Sequence, residues 1–199
     1  MCHTMLQDAS FFELLYECDK DIAAKVKADG CRRCGGALDS AHYPRKPRGG
    51  PDDLDEACAS RRLSFCCRRE GCRSRATPPS VRFLGRRVYW GVVVVLQSVM
   101  QQAVTAFRAT RLQRALGVDR QTVQRWRAWW LARFPETRFW QVARARFIPP
   151  IAVTSLPLSL LERFTNKDDG DKRSQLVAAL RFLSPITTDS ASVGFSDGG

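Results

Sequence analysis

Cys31-Arg32-Arg33-Cys34-Gly35-Gly36 sets two thiols two residues apart, and Cys67-Arg68-Arg69-Glu70-Gly71-Cys72 sets two more four residues apart. A tight turn through either segment brings both sulfurs to one tetrahedral ion. The glycines supply the positive φ that aims backbone N–H groups at the sulfurs. Arg32, Arg33, Arg68, Arg69, Arg73 and Arg75 would offset part of the charge of a four-thiolate site. Two such knuckles joined by strand-like sequence describe a zinc ribbon, with Cys31, Cys34, Cys67 and Cys72 holding one structural Zn2+. Alternation along Phe65-Cys66-Cys67 favours Cys67 over Cys66, although alternation alone does not say which strand face meets the metal. Cys58, His42, Cys2 and His3 are reserve ligands. Cys18, on the apolar stripe of a helix, reads as a small buried hydrophobe. A redox use of Cys31 and Cys34 needs a βαβ context that residues 11–60 lack, and a catalytic thiol needs a histidine beside it.

The second constellation is Leu116-Gly117-Val118-Asp119-Arg120-Gln121-Thr122-Val123-Gln124-Arg125-Trp126. Gly117 can end one helix, Val118 can pack in the corner, and Asp119 can cap the next helix. Val123, Trp126 and Trp130 then form an inward stripe, while Arg120, Gln121, Gln124 and Arg125 face outward. In a helix-turn-helix this N-terminal end enters the major groove, which makes Arg120, Gln121, Thr122, Gln124, Arg125 and Arg127 the expected DNA-binding residues.

The motif resembles the DNA-binding region of bacterial transposases and resolvases, whose helix-turn-helix often reads Leu-Gly-Val-Ser-x-x-Thr-Val-x-x-Trp. Asp119 stands where that pattern commonly has Ser, and Gln113 where a small residue packs against the turn. A zinc ribbon followed by such helices also resembles the N-terminal half of insertion-sequence transposases, over about residues 31–134. The resemblance would imply a ribonuclease-H-like catalytic domain with three metal-binding carboxylates, and here the chain departs from it. After Phe134 there are 65 residues, with acids at Glu136, Glu162, Asp168, Asp169, Asp171, Asp189 and Asp197 in a helical pattern. The expectation is a chain without recombination chemistry of its own and no enzyme.

Charge supports a polyanion partner. The net charge is +12, and residues 61–148 hold 19 arginines and no lysine against Glu70, Asp119 and Glu136. A GC-rich coding bias would account for arginine over lysine but not for the segregation, and the planar guanidinium suits phosphates and guanine edges. Arg86-Arg87 and Arg144/Arg146 read as phosphate contacts or as a solvated face. Trp126 and Trp130 read as core, and the other aromatics as core or, less commonly, as stacking platforms. The N-terminal residues lack the basic and long apolar regions of a signal peptide, and the longest apolar run, Val88–Leu96, is nine residues. Neither export nor a membrane span is expected, and a reducing cytoplasmic, nucleoid-associated location follows.

The elements that must position these groups follow from periodicity and punctuation. A Ser10/Glu13 capping box predicts a helix over 11–28 carrying Phe11, Leu14, Leu15, Cys18, Ile22 and Val26 on one stripe, stopped by Gly30. Short strands are expected over 31–43 and 61–82, with a long loop between them. Helices are expected over 86–102, 110–116, 120–134, 157–164 and 174–183, the first weakened by the strand propensity of Val92–Val95. The run at 168–172 is a turn without the spacing of a calcium loop.

The organisation read from these elements is an N-terminal helix (1–30), a zinc ribbon with a long inserted loop (31–82), a helix-turn-helix domain (86–148) and a short helical C-terminal region with a disordered tail (149–199). The fold class is mainly α with a small β zinc ribbon and a three-helix, homeodomain-like core. The function expected is zinc-dependent double-stranded DNA binding, as an accessory or regulatory factor or as a catalytic-domain-less relative of a mobile-element transposase. Partners would be duplex DNA, a separate transposase or recombinase, and a second copy of the chain, with no membrane. An RNA-binding ribbon and a thiol-disulfide oxidoreductase using Cys31/Cys34 are the alternatives.

Overall fold

A computed structural model describes residues 5–84, 89–103, 116–165 and 171–188. The sequence readings at Cys2, His3, Arg86, Arg87, Gln113, Asp168 and Asp169, the 110–116 helix and the tail beyond 188 lie outside the described residues. Within them the chain is mainly helical with a small antiparallel sheet.

Helix α1 spans Ala9–Asp29. Its N-cap is Asp8, not Ser10: the Asp8 carboxylate accepts from the Ser10 backbone N–H at 3.0 Å and the Ser10 hydroxyl at 2.6 Å. A carboxylate at an extended residue outcompetes a hydroxyl one turn in, so the helix begins earlier than the Ser10/Glu13 pattern implied. Gly30, at φ 75°, ends it by donating to Lys27 O. Phe11, Phe12, Leu15 and Cys18 are buried, whereas Leu14 is 44% exposed.

Five short strands form two antiparallel sheets: β1 (Leu38–Ser40), β4 (Phe65–Cys67) and β5 (Arg75–Ala76) make one, and β2 (Tyr43–Pro44) and β3 (Arg61–Arg62) the other. β4 is central, antiparallel to β1 and β5, with Leu38 opposite Cys67 and Phe65 opposite Ala76. The inserted segment is not all loop: α2 (Glu56–Ser60) forms under an Asp55 cap that accepts from Ala57 N at 2.9 Å and Cys58 N at 3.2 Å. Burial of Cys58 pins it to the main core.

Helix α3 (Gly91–Ala103) begins later than the expected 86–102 helix. The Gly91 N–H donates to Arg82 O at 2.7 Å, an approach that leaves a Cβ only 3.2 Å from the same oxygen. Val92, Val93, Val94 and Val95 are each at most 1% exposed. The first turns of α3, Val92–Leu96, are apolar on all sides and enclosed by the core, and burial here overrides the strand propensity of the valines.

Helix α4 (Arg120–Ala128) does not run on unbroken to Phe134. It widens into a π-helical turn at Trp129–Arg133 and tightens into a 3-10 turn at Phe134–Glu136. The wider turn lets the adjacent Trp129 and Trp130 both point inward, with ring centroids 4.8 Å apart and Phe134 4.9 Å from Trp130. Regular α geometry would turn consecutive side chains about 100° apart.

Three further helices complete the body. α5 (Arg138–Ala143), capped by Thr137, was not foreseen in the sequence; α6 (Leu158–Glu162) and α7 (Lys172–Leu183) match the expected C-terminal pair, α7 being capped by Asp171. One apolar core takes side chains from α1, α3, α4, α6 and α7, and a smaller cluster comprises Ala23, Cys31, Leu38, Leu63, Phe65 and Cys67.

Between the two lies a buried ion pair. Asp19 of α1 accepts from Arg82 Nε at 2.8 Å, Val81 N at 2.7 Å and Ser80 Oγ at 2.6 Å. Arg82, fully buried, also donates to Cys58 O and Arg61 O and lies over the rings of Tyr16 and Phe83.

Candidate functional site

Two turns bring four sulfurs together. Cys31 and Cys34 flank a turn closed by Gly35 N to Cys31 O at 2.7 Å and Cys31 N to Gly36 O at 2.9 Å, with Gly35 at φ 68°. Cys67 ends β4, and Cys72 follows a turn in which Cys72 N donates to Arg69 O at 3.1 Å, with Gly71 at φ 78°. Cys31 Sγ lies 3.8 Å from Cys72 Sγ, Cys34 Sγ lies 3.5 Å from Cys67 Sγ, and all four sulfurs fall within 4.8 Å of one another. A tetrahedron of sulfurs about 2.3 Å from a central ion has edges of about 3.8 Å. The four cysteines therefore lie close enough to hold a metal ion, and all four are free cysteines.

The local backbone serves that spacing. A Cβ at Gly36 would stand 3.2 Å from Cys67 Sγ and 3.4 Å from Cys34 Sγ, so a larger residue there would crowd two of the four sulfurs. The Arg33 backbone N–H, joined by that of Cys34, pulls the Cys31 thiol down to about 7, near half-ionised at neutral pH. Burial pushes Cys67 up to about 12. The Ser74 N–H is the strongest influence on Cys72 and stabilises its thiolate, but the neighbouring Cys34 and Cys31 thiols and burial leave its pKa raised. Four thiols at such close quarters suit a cation, which replaces their protons on binding.

Cys66 does not join the cluster. It is opposite Asp39 on the other face of β4, with its sulfur 3.4 Å from Arg73 O. His42 is engaged by Ser64, whose N–H lies 3.1 Å from Nδ1, and Cys58 is in the main core. Cys18 is buried on α1, within 3.1 Å of Arg181 Nη2.

The second group of expected residues sits at the start of α4. Gly117 has φ 60°, Val118 is buried in the corner, and the Asp119 carboxylate accepts from Thr122 N at 2.8 Å. The Thr122 hydroxyl donates to the same carboxylate at 2.5 Å and holds its pKa down, so Thr122 is occupied in capping. Val123, Trp126 and Trp130 are buried. Arg120, Gln121, Gln124, Arg125 and Arg127 are exposed, and no ion pair engages these arginines among the described residues. Tyr89 packs edge-on against Trp126 at 5.2 Å and its hydroxyl donates to Gly117 O at 3.3 Å, which fixes the turn to the segment before α3.

Not all the arginines of residues 61–148 are available to a partner. Arg82 and Arg62 are buried, the latter donating to Pro78 O at 2.5 Å, and Arg68 is paired with Asp39 at 2.7 Å. The net charge of residues 61–148 nonetheless includes all three. Asp19, whose carboxylate takes Arg82 inward, gave no sequence signal, because it sits beside Cys18 on an otherwise ordinary amphipathic stripe. Among the described residues no helix is long and apolar enough to cross a membrane. No family model, curated protein or solved structure matches this chain.

Proposed function

We propose that the chain is a double-stranded DNA-binding protein whose four-cysteine cluster holds one structural Zn2+. Carrying the proposal is the row Arg120, Gln121, Gln124, Arg125 and Arg127, exposed at the capped start of a helix whose opposite face is buried tryptophan. Guanidinium and carboxamide groups in such a row match the bidentate edges of guanine and adenine in the major groove. Zinc fits the cluster because four thiolates at tetrahedral spacing form a closed site with no position left for substrate. The metal would fasten Cys31 and Cys34 of one turn to Cys67 and Cys72 of the other, and so order the ribbon.

On this reading the protein recognises DNA without cutting or joining it, as an accessory or regulatory factor of a mobile element or as a transposase relative reduced to end recognition. The mobile-element role rests on the resemblance of residues 31–134 alone. Binding of single-stranded RNA is the weaker reading: among the described residues, the exposed large hydrophobic side chains are Leu14, Val142, Ile148 and Val153, none of them an aromatic stacking platform.

The test is selection from a random duplex library with zinc-loaded protein, repeated with Arg125→Ala. An enriched motif is expected, and the variant should relax one base position of it at a cost of about 1–3 kcal/mol. Salt-sensitive binding with no enriched motif would overturn base readout, and equal losses on every duplex would make Arg125 a phosphate contact.

A further inference from the structure

We infer that the corner made by Val142, Ile148, Arg138, Arg144 and Arg146 is a second contact to duplex DNA, which inserts Ile148 between base pairs from the minor groove and bends the duplex. The inference rests on the DNA-binding reading above and adds to it a site and a mode of distortion.

Ile148 is 92% exposed and Val142 is 68% exposed. Single exposed aliphatic residues are common on protein surfaces. Ile148, however, is flanked by a packed aromatic residue on one side and a hydrogen-bonded carbonyl on the other. Phe147 before it is anchored with ring centroids 5.3 Å from Phe182, 6.2 Å from Phe164 and 6.4 Å from Trp140. After it, Arg163 Nη2 donates to the Pro149 carbonyl and lies 3.5 Å from Pro150 O. Local rearrangement to bury Ile148 would have to break this aromatic cluster, so the side chain projects from a fixed base.

Its surroundings carry one sign of charge. Arg138 and Val142 are four residues apart on α5 and share a face. Arg144 and Arg146 are exposed in the 3-10 turn that follows. The sequence has no acidic residue between Glu136 and Glu162, and none of these arginines is ion-paired among the described residues. An exposed apolar side chain on a segment whose charged residues are all exposed arginines is complementary to the minor groove. There, arginines follow the negative potential, and a branched aliphatic group can part a flexible base step. An anionic membrane would instead require a continuous apolar face, and α5 is six residues long.

The experiment uses the full chain, zinc-loaded, on an A·T-rich duplex of about 30 bp, with a fluorophore pair at its ends and 2-aminopurine at a central T-A step. Saturation is checked by anisotropy. The wild type should raise energy transfer, as expected for a kink of roughly 20–90°, and brighten the 2-aminopurine. Ile148→Ala, a truncation in solvent that leaves the core untouched, should lose both signals at saturating protein. Arg144→Ala with Arg146→Ala should reduce the slope of log K against log salt by about 2. Saturation without bending, or bending that survives Ile148→Ala, overturns the wedge and leaves the DNA reading standing. Failure to bind any duplex overturns both. Ile148-dependent capture on phosphatidylserine vesicles, with no bending of DNA, reassigns the corner to a membrane surface and overturns the inference.

Discussion

Replacing Asp19 with Ala should destabilise the chain by about 3 kcal/mol, at the lower end of the roughly 3–5 kcal/mol that follows from breaking one side of a buried ion pair. Asp19 is 1% exposed and accepts three hydrogen bonds, from Ser80 Oγ, Val81 N and Arg82 Nε. The substitution leaves a backbone N–H, a hydroxyl and a guanidinium facing a void, and unsatisfied buried donors account for the large cost. The lower end applies because Arg82 is not fully stranded. It keeps the carbonyls of Cys58 and Arg61, and its guanidinium carbon stays 4.3 Å from the Tyr16 ring and 4.7 Å from the Phe83 ring.

For a chain of this length about 3 kcal/mol corresponds to a fall in melting temperature of about 6–12 °C. Urea unfolding followed by circular dichroism measures it directly, provided the slope m is unchanged. The double variant Asp19→Ala/Arg82→Met should recover part of the loss, since it removes the unpaired charge and retains apolar volume. A single-variant loss below about 1 kcal/mol would refute the reading that Asp19 holds α1 to the Ser80–Arg82 segment. So would a double variant whose loss equals the sum of the two singles, because coupled partners are non-additive.

Cys34→Ser and Cys72→Ser should each release the metal and increase amide exchange across 31–76 while α3 and α7 stay protected, as measured by native mass spectrometry and hydrogen exchange. Full retention of metal by both variants would refute the four-cysteine assignment. Acid should weaken the start of α4. The Thr122 hydroxyl and N–H hold the Asp119 pKa below its ordinary value, so its contribution is present above a pH of about 4 and is lost as pH falls through the depressed value. Amide exchange at Thr122 should therefore rise on acidification, once corrected for intrinsic rates, and Asp119→Asn should flatten that dependence. An unchanged pH profile in the variant would assign the effect elsewhere.

The four-cysteine grouping and the capped start of α4 were legible because each is local. Cysteine spacing and flanking glycines describe the two knuckle turns without reference to the rest of the chain, and Gly117 and Asp119 mark a helix start by backbone rules alone. The pairing of β1 with β4 follows once the sulfurs must meet. What could not be read depended on distant neighbours. The valines of α3 show no helical preference of their own and are helical because the core encloses them. The π turn after α4 answers to the packing of Trp129, Trp130 and Phe134, and helix periodicity assumes regular geometry in advance. Arginine is the sharpest case. The same residue type, in one basic segment, is a buried structural partner at Arg82, a paired surface group at Arg68 and an unpaired exposed one at Arg125. Net charge therefore overstates the charge open to a partner, and on the proposed DNA reading the arginines that count are those the fold leaves exposed without a carboxylate.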